Sequence, residues 1–224
     1  MTFPIAELIS LPRRHGSSPD GEDAGGFDEV RGRFVLSDGA GSAFSARTWA
    51  RTLVRHFIND PEAGWHEQAV ASWRAGLTLR TPRTRRAAEQ GSAATLVGLA
   101  MADGVGWQAT AVGDSCLYVL RAENNLLPEA FPIAWGDRFP AAPELWTTGR
   151  PPRLARLAGT AAPGDVLILA TDAVARWASA GPPSIWRWLA TTETEQLSAT
   201  LAKYRDESEI EDDDLSVLIV RPPL

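Results

Sequence analysis

The alternation of polar and apolar positions changes period several times along the chain, and each change marks an element. Residues 33–36, Arg-Phe-Val-Leu, form a short apolar run that ends at Asp38-Gly39, as a strand entering a turn does. Phe44, Trp49, Ala50, Leu53, Val54, Phe57 and Ile58 then recur at spacings of three and four, which predicts an amphipathic helix with one buried face. Ala69, Val70, Trp73 and Leu77 predict a second helix, and the arginines between 80 and 86 read as a solvated helix end or loop. From Ser92 the strand pattern returns. Runs at 94–101, 107–112 and 116–120, separated by Asp103-Gly104 and Gly113-Asp114, predict a meander of antiparallel strands.

Residues 121–164 carry many Pro, Trp and Arg with little periodicity and read as a long loop, of the kind that serves as a functional flap. An apolar strand at 165–170 runs into Thr171-Asp172, helices are predicted at 174–177, 185–189 and 195–204 around the break at Pro182-Pro183, and 215–220 is the last strand. Residues 16–29, rich in Gly, Ser, Pro and acid, read as an exposed loop. Strands in the middle with helices on either side predict an α+β fold, a sheet sandwich covered by helices. The 224 residues fit one domain, 1–224.

A formal net charge of −6 argues against a nucleic-acid-binding surface and directs attention to protein or small-molecule partners. The single cysteine, Cys116, lies in an apolar run and reads as a buried small hydrophobe. The apolar stretch at 3–11 is interrupted by Glu7 and followed, not preceded, by Arg13-Arg14, and no run of about 18 apolar residues exists to span a membrane. The expectation is a cytoplasmic protein without a membrane partner. His15, His56 and His66 form no ligand pattern, and the nine tryptophans read as packing.

What remains unexplained by folding is a set of acidic segments in order: Glu22-Asp23, Asp38-Gly39-Ala40-Gly41, Gly113-Asp114-Ser115, Thr171-Asp172 and Asp213-Asp214-Leu215-Ser216. Most are flanked by strand-like sequence, so a fold can bring their carboxylates together. Crowded carboxylates repel unless a cation lies between them, and hard divalent ions take oxygen ligands of this kind. That points to a metal-dependent hydrolase. Each residue also has a plainer reading. Asp38 and Asp114 suit turns, Asp172 suits a helix N-cap, and Asp213 belongs to the acidic run 207–214.

Together with Gly91-Ser92-Ala93-Ala94-Thr95, these segments resemble the ordered motifs of the PP2C-type metal-dependent protein serine/threonine phosphatases, from about residue 22 to 221. The resemblance implies a four-layer α-β-β-α sandwich, two mainly antiparallel sheets flanked by helix pairs. It implies two or three Mn²⁺ or Mg²⁺ ions, with Asp38 bridging two of them, the Gly39 carbonyl on one, and Asp172 and Asp213 on the other. Asp38, Asp172 and Asp213 would form the catalytic centre, Asp23 and Glu22 would act mostly through water, and Asp114 would help Asp172 hold a looser third ion.

The departures are Ser42 and Ala173 for glycines, Ala40 where many relatives carry His, and Ser17-Ser18-Pro19-Asp20-Gly21 where the phosphate-binding Arg is expected. Arg13 and Arg14, just upstream, are the candidate replacements. The implied function is hydrolysis of phosphate monoesters on a phosphorylated protein, with a Ser/Thr kinase as a further partner. The alternatives are a catalytically weak domain that binds a phosphoprotein, or action on a small phosphate ester.

Overall fold

The structure, a computed structural model, describes residues 3–15, 20–62, 64–102, 105–123 and 127–223. The turn expected at Asp103-Gly104 and the Ser17-Ser18-Pro19 stretch lie outside the described residues. The strands are β1 (Ile5–Leu11), β2 (Ala24–Asp28), β3 (Arg33–Ser37), β4 (Ala93–Ala94), β5 (Leu96–Ala102), β6 (Gly106–Val112), β7 (Cys116–Leu120), β8 (Glu129–Phe131), β9 (Trp146–Thr147), β10 (Ala155–Thr160), β11 (Val166–Ala170) and β12 (Leu215–Arg221). The helices are α1 (Ala46–Asn59), α2 (His66–Ala75), α3 (Pro82–Gln90), α4 (Asp172–Ala180), α5 (Ser184–Thr191) and α6 (Thr194–Asp206).

Two five-stranded sheets, with orders β1-β12-β11-β7-β8 and β10-β6-β5-β3-β2, are antiparallel throughout. Their facing side chains form the central layer, where Phe34, Leu36, Val97 and Leu99 of one sheet meet Leu117, Leu167, Leu169 and Leu218 of the other. The intervening residues point outward yet are also apolar, because helices cover both outer faces. Val35, Leu96 and Val112 pack under α1 and α2 against Trp49, Leu53, Phe57 and Trp73. Tyr118, Ile168, Val217 and Ile219 pack under α4, α5 and α6 against Val174, Trp186, Leu189 and Leu201. Strands buried on both faces explain why 34–36, 167–170 and 215–220 are continuous apolar runs rather than alternating ones.

The four layers agree with the expectation, with three helices rather than a pair on one side. Gly98 of β5 is a requirement of that packing, because a Cβ there would overlap the Phe57 ring of α1. The Arg-rich stretch becomes α3, opened by Pro82 and a Thr81–Thr84 capping box and without a buried residue, so its arginines are a solvated face. Cys116 is buried.

Three expectations are corrected. The strands at 94–120 are not one meander: β5 and β6 pair with each other, but β7 crosses to the other sheet and pairs with β11 and β8. Residues 121–164 are not all loop, since β8 and β10 extend one sheet each and β9 pairs with β4. Within 16–29, residues 24–28 form β2, whose Gly25 and Gly26 lie against Leu8, Leu36, Val54 and Ile58. Side chains are not tolerated there, and the absence of apolar ones hid the strand.

Candidate active site

Strand direction places the acidic motifs together. In one sheet the start of β7, the end of β11 and the start of β12 lie at one edge, and in the other sheet the start of β2 and the end of β3 reach the same rim. Asp23 precedes β2, Asp38 follows β3, Asp114 precedes β7, Asp172 opens α4 and Asp213 precedes β12. Asp23 is close enough to Asp38 for its charge to raise the pKa of Asp38. Asp172 and Asp213 are close enough to raise the pKa of Asp38 by their charge.

Hydroxyls fix the segments that carry these carboxylates. Thr171 Oγ1 donates to Asp23 Oδ2 at 3.0 Å and accepts from the Ser216 amide at 3.0 Å, joining the two sheets at the rim. Thr95 Oγ1 accepts from the Asp38 amide at 3.2 Å and lies 2.7 Å from Ser115 Oγ, which ties β3 to the turn that carries Asp114. Gly39 forms an isolated bridge with Ala94, but its bonds are Ala40 N to Ala93 O and Thr95 N to Asp38 O, which leaves the Gly39 carbonyl outside the ladder. Asp214 is buried and organises backbone: it accepts from the amides of Arg13 at 2.7 Å, Asp23 at 3.2 Å and Glu22. A Cβ on Gly21, whose φ is +73°, would strike that carboxylate.

Burial and mutual repulsion govern the electrostatics. Burial pushes Asp23 up to about 7 and holds Asp38 well above the usual carboxylate range, with the charges of Asp23 and Asp172 adding to it. Burial and the charge of Asp114 push Asp172 up to about 6 against the opposing Arg176, and burial also raises Asp213. Asp23 Oδ1 is buried with no hydrogen-bond partner. An unpartnered buried carboxylate oxygen beside three further raised aspartates is the pattern of an all-oxygen cation site, so the donor set fits Mg²⁺ or Mn²⁺. Among the described residues, no group of three such side chains already stands arranged around one ion position.

The two candidate arginines part company. Arg13 lies over the rim, with Nη2 3.0 Å from Glu22 Oε2 and Nη1 4.0 Å from Asp213 Oδ1. Burial raises the pKa of Glu22, and Arg13 lowers it. The Pro12 carbonyl before it is held by Arg205 of α6 at 2.6 Å. Arg14 instead pairs with Asp212 at 3.4 Å and Asp206 at 3.5 Å. Asp114, expected beside a looser third ion, is ion-paired with Arg176 at 2.8 Å. Sequence reading missed Arg176, Asp214 and Thr171. The spacing of four from Asp172, read as a helix N-cap, to Arg176 in the helix predicted after it was the available signal for the first.

No family model and no curated protein matches the sequence. Solved structures do match over nearly the whole length. PppA of Pseudomonas aeruginosa, described as a key regulatory component of T6SS, is 21% identical with a TM-score of 0.68 over 99% of both chains. The serine/threonine phosphatase PstP/Ppp of Mycobacterium tuberculosis is 16% identical with a TM-score of 0.68 over 100% of both. The catalytic domain of PstP in complex with two manganese ions is 18% identical with a TM-score of 0.65 over 98% of both. The chain therefore folds as the bacterial serine/threonine phosphatases do, in the PP2C-type sandwich that its ordered acidic motifs resemble.

Proposed function

We infer that the chain is a metal-dependent phosphatase that hydrolyses phosphoserine or phosphothreonine monoesters on protein. The observation that carries this reading is the convergence of Asp23, Asp38, Asp172 and Asp213 at one rim of the sandwich, all with raised pKa, with Asp23 Oδ1 buried and unpartnered. These four carboxylates and the Gly39 carbonyl would hold two divalent ions. When bound, such ions supply Lewis acidity at the phosphoryl group and acidify water at neutral pH. Thr171 holds the Asp23 carboxylate and Thr95 holds the backbone of Asp38 through the bonds described above.

Arg13 supplies the substrate-binding cation. Its guanidinium stands over Gly41 between Glu22 and Asp213, where its fork can bind two oxygens of a phosphate dianion. Ala40 carries no proton to give, so protonation of the departing serine or threonine oxygen falls to water. That same feature favours the second reading, a catalytically weak domain that binds a phosphoprotein partner. The two separate in one experiment: turnover of an aryl phosphate and of a phosphothreonine peptide with Mn²⁺, with and without chelator. Turnover that needs the ion supports the enzyme. Equal rates in chelator overturn it, and peptide binding without turnover supports the binding domain.

A further inference from the structure

Arg176, in the second turn of α4, plays no part in the mechanism above, yet it pairs with three acids at the rim against two for Arg13. Its Nη2 lies 2.8 Å from Asp114 Oδ2 and 3.1 Å from Asp172 Oδ2, and its Nη1 lies 3.6 Å from Glu211 Oε2. Its Cζ lies 5.7 Å from the centroid of the Phe139 ring. We propose that the Arg176 guanidinium is a built-in cation of the Asp114–Asp172 pair and stands where a third metal ion is expected, so that this chain loads two divalent ions and no third. The inference rests on the metal-dependent reading of the four-aspartate site and specifies its stoichiometry.

Three features argue for it. Asp114 is 1% exposed, so its charge has almost no water to turn to and needs a fixed partner. The spacing of four along α4 puts Arg176 on the face of Asp172, and the β6–β7 turn delivers Asp114 to the same nitrogen. An ion that approached both carboxylates would have to displace a guanidinium anchored by three acids and lying against a ring. Unlike a bound metal, an arginine stays charged at any working pH and cannot be chelated.

The test counts Mn²⁺ bound per chain by equilibrium dialysis and measures thermal unfolding in excess chelator, on the full chain. The unaltered protein is expected to take two ions. Asp114→Asn is also expected to take two, and to lower the melting temperature of the metal-free protein by roughly 5 °C, because a buried charge-assisted bond is weakened. If Asp114 awaited an ion, the same change would relieve repulsion, raise that temperature and remove one ion. Arg176→Met is expected to admit a third ion, while Arg176→Lys stays at two. Should Arg176→Met fail to fold, the Asp114→Asn arm decides alone. Three ions in the unaltered protein with one lost in Asp114→Asn overturn the inference, as does a folded Arg176→Met protein that still takes two. No Mn²⁺ binding at all overturns the four-aspartate site itself and the inference with it.

Discussion

At the scale of residues, the site sets charge against solvation. On the proposed function, Asp38→Asn and Asp172→Asn keep shape and remove a charged group that would hold metal, so turnover is expected to fall at least about 100-fold while the protein stays folded. Metal-free Asp38→Asn should melt above the unaltered protein at pH 8, because the charge removed is one that burial and its neighbours disfavour. Steady-state rates and melting curves of the same samples check both. Arg13→Ala is expected to raise KM for phosphate esters with a smaller effect on kcat, the mark of lost ground-state binding, whereas Arg14→Ala, paired away with Asp212 and Asp206, should leave both unchanged. The aspartates that meet at the rim were legible in the sequence as a group because each sits in a short motif at a strand end. The role of Asp214 and the contact of Arg176 with Asp114 were not, because those partners lie far off in sequence. The Asp114–Arg176 contact spans 62 positions and the Asp214–Arg13 contact 201, and only the finished topology brings them together.

At the scale of elements, legibility followed burial. Strands covered on both faces, such as β3, β11 and β12, are continuous apolar runs and were read within a residue or two. β2 and β10 were missed because they are edge strands with hydrogen bonds on one side only. β10 is largely exposed and β2 is Ala-Gly-Gly-Phe-Asp. β1, also an edge, was weighed as a targeting segment rather than as a strand. The crossover of β7 was illegible because a turn at Gly113-Asp114 serves a hairpin and a sheet change equally well. Packing between elements offers its own check. Gly98→Ala forces the Phe57 ring of α1 off β5 and is expected to cost about 1–3 kcal/mol, an overpacking penalty measurable by denaturant unfolding. Gly98→Ala with Phe57→Leu should recover part of that loss.

At the scale of the whole molecule, the rim makes stability depend on pH. An ordinary aspartate titrates near 4. In the fold Asp23 is pushed up to about 7 and Asp172 to about 6, so the folded protein keeps protons that the unfolded chain releases. The penalty is absent below about pH 4 and complete above about pH 7, and metal-free protein should therefore melt at progressively lower temperature as pH rises from 5 to 8. Asp212 and Asp165 are shifted down and act in the opposite sense below about pH 4, and His56 and His66, shifted down by burial, oppose the trend below about pH 6.5, so the fall is clearest between about pH 6.5 and 8. Mn²⁺ should reverse the trend, raising the melting temperature more at pH 8 than at pH 5.5, since protons compete for the same oxygens. Finally, β12 lies between β1 and β11, with Ile5 opposite Arg221. Leu11 pairs with Leu215, so closing this edge of the sheet carries the entropy cost of a loop that holds most of the fold, and Asp213 and Asp214 are set at the rim only when that loop is closed.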